Sequence, residues 1–422
     1  MRIGTCEIRM GGRSIIGDLT ASPDTVWARF GNEVLIAAPD TQWARATRAR
    51  PTGTPEPRVT DTNVDISRLH LVVQHGRLFQ QHQPEVKVLL DKGRFLVVDL
   101  DPAAAREVAL GNETCFGIQP LPRNAVVFET RPSSGVRAAP RDWIQDLVTA
   151  VEQPPYQGDL ETLASRHTRL STSDDFAALA QWAEEQFVGF GFATRREFVS
   201  VHGNASGNVV ADKSGRGPGP RDLIVVTAHL DSINAEGGAG ASAPGADDNA
   251  SGSAAVLTMA RLLAHHEATH DMRFILFGGE EQGLFGSRQH VQALSDMEQN
   301  RIRAVVNMDM IGSFNTAIPA VLIEGHIISQ ELINALALSA MTYTGLQVQT
   351  SLNPFASDHV PFIRAGIPAV LTIESADEAN QHIHSARDTL NTINYDLALE
   401  IVRMNLAFVA EELGRAGATD AA

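Results

Sequence analysis

Residues 222–232 read DLIVVTAHLDS, and this stretch decides the fold. Leu223, Ile224, Val225, Val226, Thr227 and Ala228 form an unbroken run that ends at His229. A strand with no polar alternation has no face to offer water, so it belongs in a sheet covered on both sides. The pattern returns in RFILFGG (273–279), AVVNMDM (304–310), AVLIEG (320–325) and PAVLTIE (368–374). Between these runs lie helical segments at about Ser251–His265, Leu284–Leu294 and Gln330–Met341, and YDLALEIVRMNLAFVAEEL (395–413) closes the series. Upstream, Phe176, Leu179, Ala180, Ala183 and Phe187 recur at helical spacing before Gly189, and REFVSVHG and NVVADK read as strands. Strands alternating with helices predict an α/β architecture.

The first 136 residues differ in texture. NEVLIAAPD, RLHLVVQHG, VKVLLDKG and RFLVVDLD are short β-like runs broken by glycine and proline. One short helix is expected there, with Asp101 as cap, Pro102 in the first turn and Gly111 as stop. RPSSGVRAAP (131–140) reads as a boundary, followed by a helix from Arg141 to Glu152 that QPPYQG is expected to end. The predicted organisation is a smaller β-rich domain over residues 1–136, a linker and helix over 137–156, and a catalytic domain over 157–422.

The chain has 422 residues and a formal net charge of −16, which argues against a nucleic-acid or anionic-membrane partner. The first thirty residues carry Arg2, Glu7, Arg9, Arg13 and Asp18, so no secretory apolar core is read there. No run approaches the roughly 18 apolar residues that span a bilayer. The expectation is a cytoplasmic protein with no membrane partner. Cys6 and Cys115 fit no zinc spacing and read as reduced core residues or a single bridge.

Chemistry concentrates at strand ends and in glycine-rich turns. His229 and Asp231 stand two apart, so strand geometry points both the same way; His229 suits a metal and Asp231 suits the other ring N–H. GADDNASG places Asp247 and Asp248 at a helix mouth, where either reads as an N-cap or as a carboxylate shared by two cations, with Asp248 favoured. In FGGEE, Glu280 and Glu281 project to opposite sides; one binds metal while the other stays free to take a proton. Asp309 ends an apolar strand, where an unpaired carboxylate is costly. HIHSARDTL supplies His384, with Asp388 as its possible orienting group and His382 as the alternative ligand. The remaining histidines read as structural, His359 in SDHVPF being the first exception to consider. Two imidazoles and several carboxylates form a set suited to two zinc-like cations and a water, which points to a metal-dependent hydrolase.

Taken together these blocks resemble the zinc aminopeptidases of the bacterial leucyl aminopeptidase type, whose relatives include glutamate carboxypeptidases and glutaminyl cyclases. The resemblance runs from about Gln157 to Gly414. It implies a mixed, mainly parallel sheet flanked by helices, two zinc ions per chain and a peptide substrate with a free N-terminus. It further implies that Asp248 bridges both ions, that His229 and Asp309 complete one site, and that Glu281 and His384 complete the other. Glu280 is then the general base, Asp231 the partner of His229, and the Asp248–Asn249 peptide bond cis. One departure stands out: none of Tyr156, Tyr343 and Tyr395 lies in a motif, whereas many active relatives place a tyrosine close to the site. A carboxypeptidase or deacylase with Arg288, Arg364 or Arg387 as clamp, a one-metal glutaminyl cyclase, and a non-catalytic binding protein are the competing readings.

Overall fold

The computed structural model describes residues 1–7, 24–48, 57–111, 116–131 and 138–416. Arg9, Arg13, Asp18, Cys115 and most of the expected boundary at 131–140 therefore lie outside the described residues. The chain divides into two compact units, Met1–Thr130 with Gln349–Ala356, and Arg131–Val348 with Ser357–Ala422.

The first unit holds β1 (Arg2–Glu7), β2 (Val26–Phe30), β3 (Glu33–Ala38), β4 (Arg58–Asp61), β5 (Leu69–Gln74), β6 (Lys87–Lys92), β7 (Phe95–Asp99), β8 (Phe116–Pro120) and β9 (Ala125–Thr130). Strands β2 and β3 form a hairpin whose tight turn uses Gly31 at φ +61°. Residues 349–351 return to pair antiparallel with β9. Strands β6, β7, β5 and β8 form a separate four-stranded sheet, in that order. The helix Pro102–Gly111 forms as its cap and stop signals require. Cys6 is buried and free.

The second unit is built on β10 (Ala193–Val201), β11 (Asn204–Lys213), β12 (Leu223–His229), β13 (Asp271–Phe277), β14 (Ile302–Met308), β15 (Ala320–Gly325) and β17 (Ala369–Glu374), whereas β16 (Gln347–Ser351) falls mostly in the segment Gln349–Ala356 of the first unit. The strand order is β10-β11-β13-β12-β14-β17-β15. Strands β13, β12, β14 and β17 run parallel, and β10, β11 and β15 join antiparallel at the flanks. Every residue of β12 and β17 is buried, so both sheet faces are covered, as their apolar runs predict.

The topology positions the site. From β12 the chain passes through the helix Gly252–Leu263 to β13 on one side; from β13 it passes through Phe285–Ala293 to β14 on the other side of β12. Connections that diverge in this way leave a crevice beyond the carboxyl end of the strand, where α/β proteins bind ligands.

One expectation fails near Pro154. The helix Asp142–Thr149 stops early, and QPPYQG opens a new helix, Gln153–Ala164. Proline lacks an N–H, which a first helical turn does not need, so the pair starts a helix instead of ending one. Among the described residues no helix is long and apolar enough to cross a membrane.

Phe277 is fully buried and packs against Phe362 and His290. Phe277→Ala should cost about 3–5 kcal/mol in equilibrium urea unfolding of this unit, whereas Phe198→Ala, 73% exposed on β10, should shift it by no more than about 0.5 kcal/mol.

Candidate metal centre

His229 is the last residue of β12, and Leu230 N–H donates to Phe277 O so that the chain continues alongside β13. Asp309 follows the last residue of β14 and donates its N–H to Thr372 O. Beyond β13 the chain turns at Gly279, whose φ is +76° and whose Cβ would lie 2.7 Å from Val201 Cγ2. That turn delivers Glu280 and Glu281, whose N–H groups both donate to the Asp231 carboxylate, at 3.2 and 3.3 Å. Asp248 lies in the turn Ala246–Ser251 ahead of the helix Gly252–Leu263, and the Asp248–Asn249 peptide bond is cis, as the resemblance implies. His384 arrives on a loop held by Ala235 N–H donating to His384 O at 2.9 Å.

The expected ligand atoms converge. His229 Nε2 is 3.2 Å from Asp248 Oδ1 and 3.2 Å from Asp309 Oδ1. His384 Nε2 is 3.1 Å from Asp248 Oδ2 and 2.9 Å from Glu281 Oε2. The two oxygens of Asp248 thus face different imidazoles. Ligand atoms of His229, Asp248 and Glu281 lie within 4.8 Å of one another, and so do those of His229, Glu280 and Asp309. Glu281 Oε1 is buried with no hydrogen-bond partner, an orphaned acceptor that a cation would satisfy. Nitrogen and oxygen donors in this number suit divalent transition cations.

Asp231, Asp247, Asp248, Glu280, Asp309, Asp358 and Asp388 are all buried. Burial holds Glu280 well above the usual carboxylate range and pushes Glu281 up to about 7. It likewise raises Asp358 to about 7 and Asp388 to about 8. Asp248 behaves oppositely: burial favours its neutral form, but His229 and His384 together hold it well below the ordinary range. So much buried negative charge against two imidazoles is costly unless metal ions balance it.

Some expected partners are rearranged. His229 Nδ1 lies 3.1 Å from Asp231 O and 3.8 Å from Asp231 Oδ1, so the backbone carbonyl, not the carboxylate, takes its hydrogen bond. Asp388 does not orient His384; its carboxylate accepts the N–H groups of Asp247 and Asp248 at 2.9 and 3.0 Å. The segment that carries His384 and Asp388 is a loop. Asp247 accepts from Gly312 N–H and Asn380 Nδ2, which occupies both its oxygens. The His382 N–H donates to Asn380 Oδ1, and His359 lies buried 3.7 Å from Glu324. Tyr156 donates to Ser251 O, and the Tyr343 hydroxyl accepts from Arg141 N–H.

Sequence reading missed Ser357, whose hydroxyl donates to Asp309 Oδ2 at 2.7 Å, and Asn249, which ties Met308 O to Gly252 N–H. Ser357 stands two residues before His359, where only that histidine drew notice.

Ser357→Ala should weaken metal affinity about tenfold in competition with a chelator, because Asp309 loses the donor that orients it. A second outcome concerns pH. In the chelated protein, folded-state values of about 7 for Glu281 and about 8 for Asp388 exceed the roughly 4 of an unfolded carboxylate. The folded state then binds more protons, so its stability falls as pH rises from about 4 through 8. Thermal unfolding of chelated protein should drop more steeply across pH 5–8 than that of protein with metal restored.

Residues 208–409 match Peptidase family M28. The chain is 29% identical over 289 residues to a probable leucine aminopeptidase 1 of Trichophyton verrucosum, covering 64% of this chain and 76% of that protein. It is 28% identical over 289 residues to leucine aminopeptidase 1 of Arthroderma otae, with the same coverage. Its fold is similar to that of the LapA aminopeptidase of Legionella pneumophila, with TM-score 0.59, 22% identity, and coverage of 82% of this chain and 98% of that one. Glutaminyl cyclase of Porphyromonas gingivalis gives TM-score 0.50 at 19% identity, covering 61% and 97%. All the convergent side chains, His229 to His384, fall inside the segment, residues 208–409, that matches Peptidase family M28.

Proposed function

We propose that this protein is a zinc-dependent aminopeptidase that removes N-terminal residues from peptides through a two-zinc site. The observation that carries the reading is the placement of Asp248, one oxygen toward His229 and the other toward His384. Asp248, His229 and Asp309 would hold one ion; Asp248, Glu281 and His384 would hold the other. Bound zinc supplies a Lewis acid for the scissile carbonyl and lowers the pKa of a coordinated water. The curated relatives named as leucine aminopeptidases support the direction of cleavage.

The protein's own groups divide the remaining work. Glu280 makes no hydrogen bond to either imidazole, and its carboxylate takes a proton from the attacking water and returns it to the leaving amine. Burial raises its basicity, which suits a proton acceptor near neutral pH. The Asp231 carboxylate holds the Glu280 and Glu281 backbone, fixing base and ligand relative to each other. Buried carboxylates around the centre attract a substrate's protonated α-amine and disfavour a substrate carboxylate. This chemistry we assign to residues 157–422, with residues 1–136 as a separate module.

Glu280→Gln should retain wild-type metal content while kcat falls by about 10²–10⁴; substantial turnover in that variant removes Glu280 as the base. A free-amine aminoacyl substrate should be cleaved and its N-acylated twin should not. Preference for the acylated form would favour a deacylase.

A further inference from the structure

Arg169 is fully buried, in the segment before the helix Asp174–Gly189. Every hydrogen bond of its guanidinium goes to a backbone carbonyl: Nε to Leu230 O at 2.8 Å, Nη2 to Gly245 O at 2.8 Å, and Nη1 to Pro244 O and, at 3.4 Å, Leu163 O. Leu230 lies between His229 and Asp231, and Pro244 and Gly245 lead directly into Asp247 and Asp248. One planar fork therefore grips both segments that meet at the centre. The backbone of Arg169 adds a second tie, since its N–H donates to Ser232 Oγ and its carbonyl accepts the Ser232 N–H, each at 3.2 Å. Ser232 Oγ in turn donates to Ala243 O at 2.8 Å. The cradle has no slack. Gly245 sits at φ +54°, and a Cβ there would lie 2.5 Å from Ser232 Cβ and 2.9 Å from Arg169 Nη2.

Charge adds to geometry. A guanidinium resists deprotonation, and although burial lowers Arg169 to about 10 it stays cationic at neutral pH. Asp388, Asp231, Asp248 and Glu281 are the acids whose field it feels. Lysine cannot replace it in kind, since a point charge with three tetrahedral donors does not span several carbonyls as a flat fork does.

We propose that Arg169 is a positioning residue of the metal centre: it sets the separation of His229 from Asp248 by clamping the carbonyls of Leu230, Pro244 and Gly245, and its charge offsets the carboxylates gathered there. This rests on the reading of His229 and Asp248 as ligands.

The test is zinc titration of the full-length wild type, Arg169→Lys and Asp248→Asn by calorimetry against a competing chelator, with circular dichroism and steady-state kinetics on each. Arg169→Lys should fold, bind zinc about 10–100-fold more weakly, and lose kcat with KM little changed. Wild-type zinc affinity in a folded Arg169→Lys with a lowered Tm would mark an ordinary structural arginine and overturn the proposal. Should Arg169→Lys fail to fold, Ser232→Ala decides, since it loosens the same clamp and leaves every ligand in place: weakened zinc binding supports the role and unchanged binding overturns it. A wild type that takes up no zinc, or an Asp248→Asn that binds it normally, refutes the metal-centre reading and this inference with it. Zinc uptake by the wild type that is weakened in Asp248→Asn but unaffected in the clamp variants overturns the role of Arg169 alone.

Discussion

Negative charge gathered at the carboxyl ends of β12, β13 and β14 is the constraint on which the rest of this structure depends. A sheet of continuously apolar strands excludes water from its interior, yet acidic residues stand where those strands end. The fold satisfies an outer ring of them with backbone donors: Asp231 takes two N–H groups, Asp388 two, and Asp247 one along with the Asn380 amide. Among the described residues an inner ring takes no backbone N–H, and its one hydroxyl donor is Ser357 Oγ to Asp309 Oδ2. Asp248, Glu281 and Asp309 face His229 and His384 instead. Carboxylates left in this way either take up protons or take up metal ions.

That difference between rings explains the division of labour at the FGGEE turn. Glu280 and Glu281 share the Asp231 carboxylate through their backbone, so the turn is rigid, but their side chains meet different surroundings. Glu281 reaches His384, whereas Glu280 faces His229 and Asp309 without a hydrogen bond to either imidazole. A base must keep its lone pair, and a ligand gives it up. Burial of both at adjacent positions is therefore a chemical arrangement more than a stabilising one, because two neighbouring buried carboxylates cost folding energy.

Much of this was legible in the residues. The unbroken runs at 223–228 and 304–306 required a doubly covered sheet, and glycines beside the acidic blocks required turns. What the sequence left open was whatever depends on long-range placement. Asp388 has a plausible local partner in His384, but its actual partners lie some 140 residues away in the chain. Arg169 carries no motif at all, since its bonds go to main-chain carbonyls that any residue supplies. QPPYQG was misread because two prolines end one helix as readily as they begin another, and packing against the helix Gly252–Leu263 settles the matter, with Tyr156 donating to Ser251 O.

Diffraction from crystals of the purified protein, collected on both sides of the zinc absorption edge, tests the central claim most directly. The account predicts two anomalous peaks flanking the Asp248 carboxylate, one beside His229 and Asp309, the other beside His384 and Glu281. A zinc-replete crystal with no peak there, or with density only at some other surface, would contradict it.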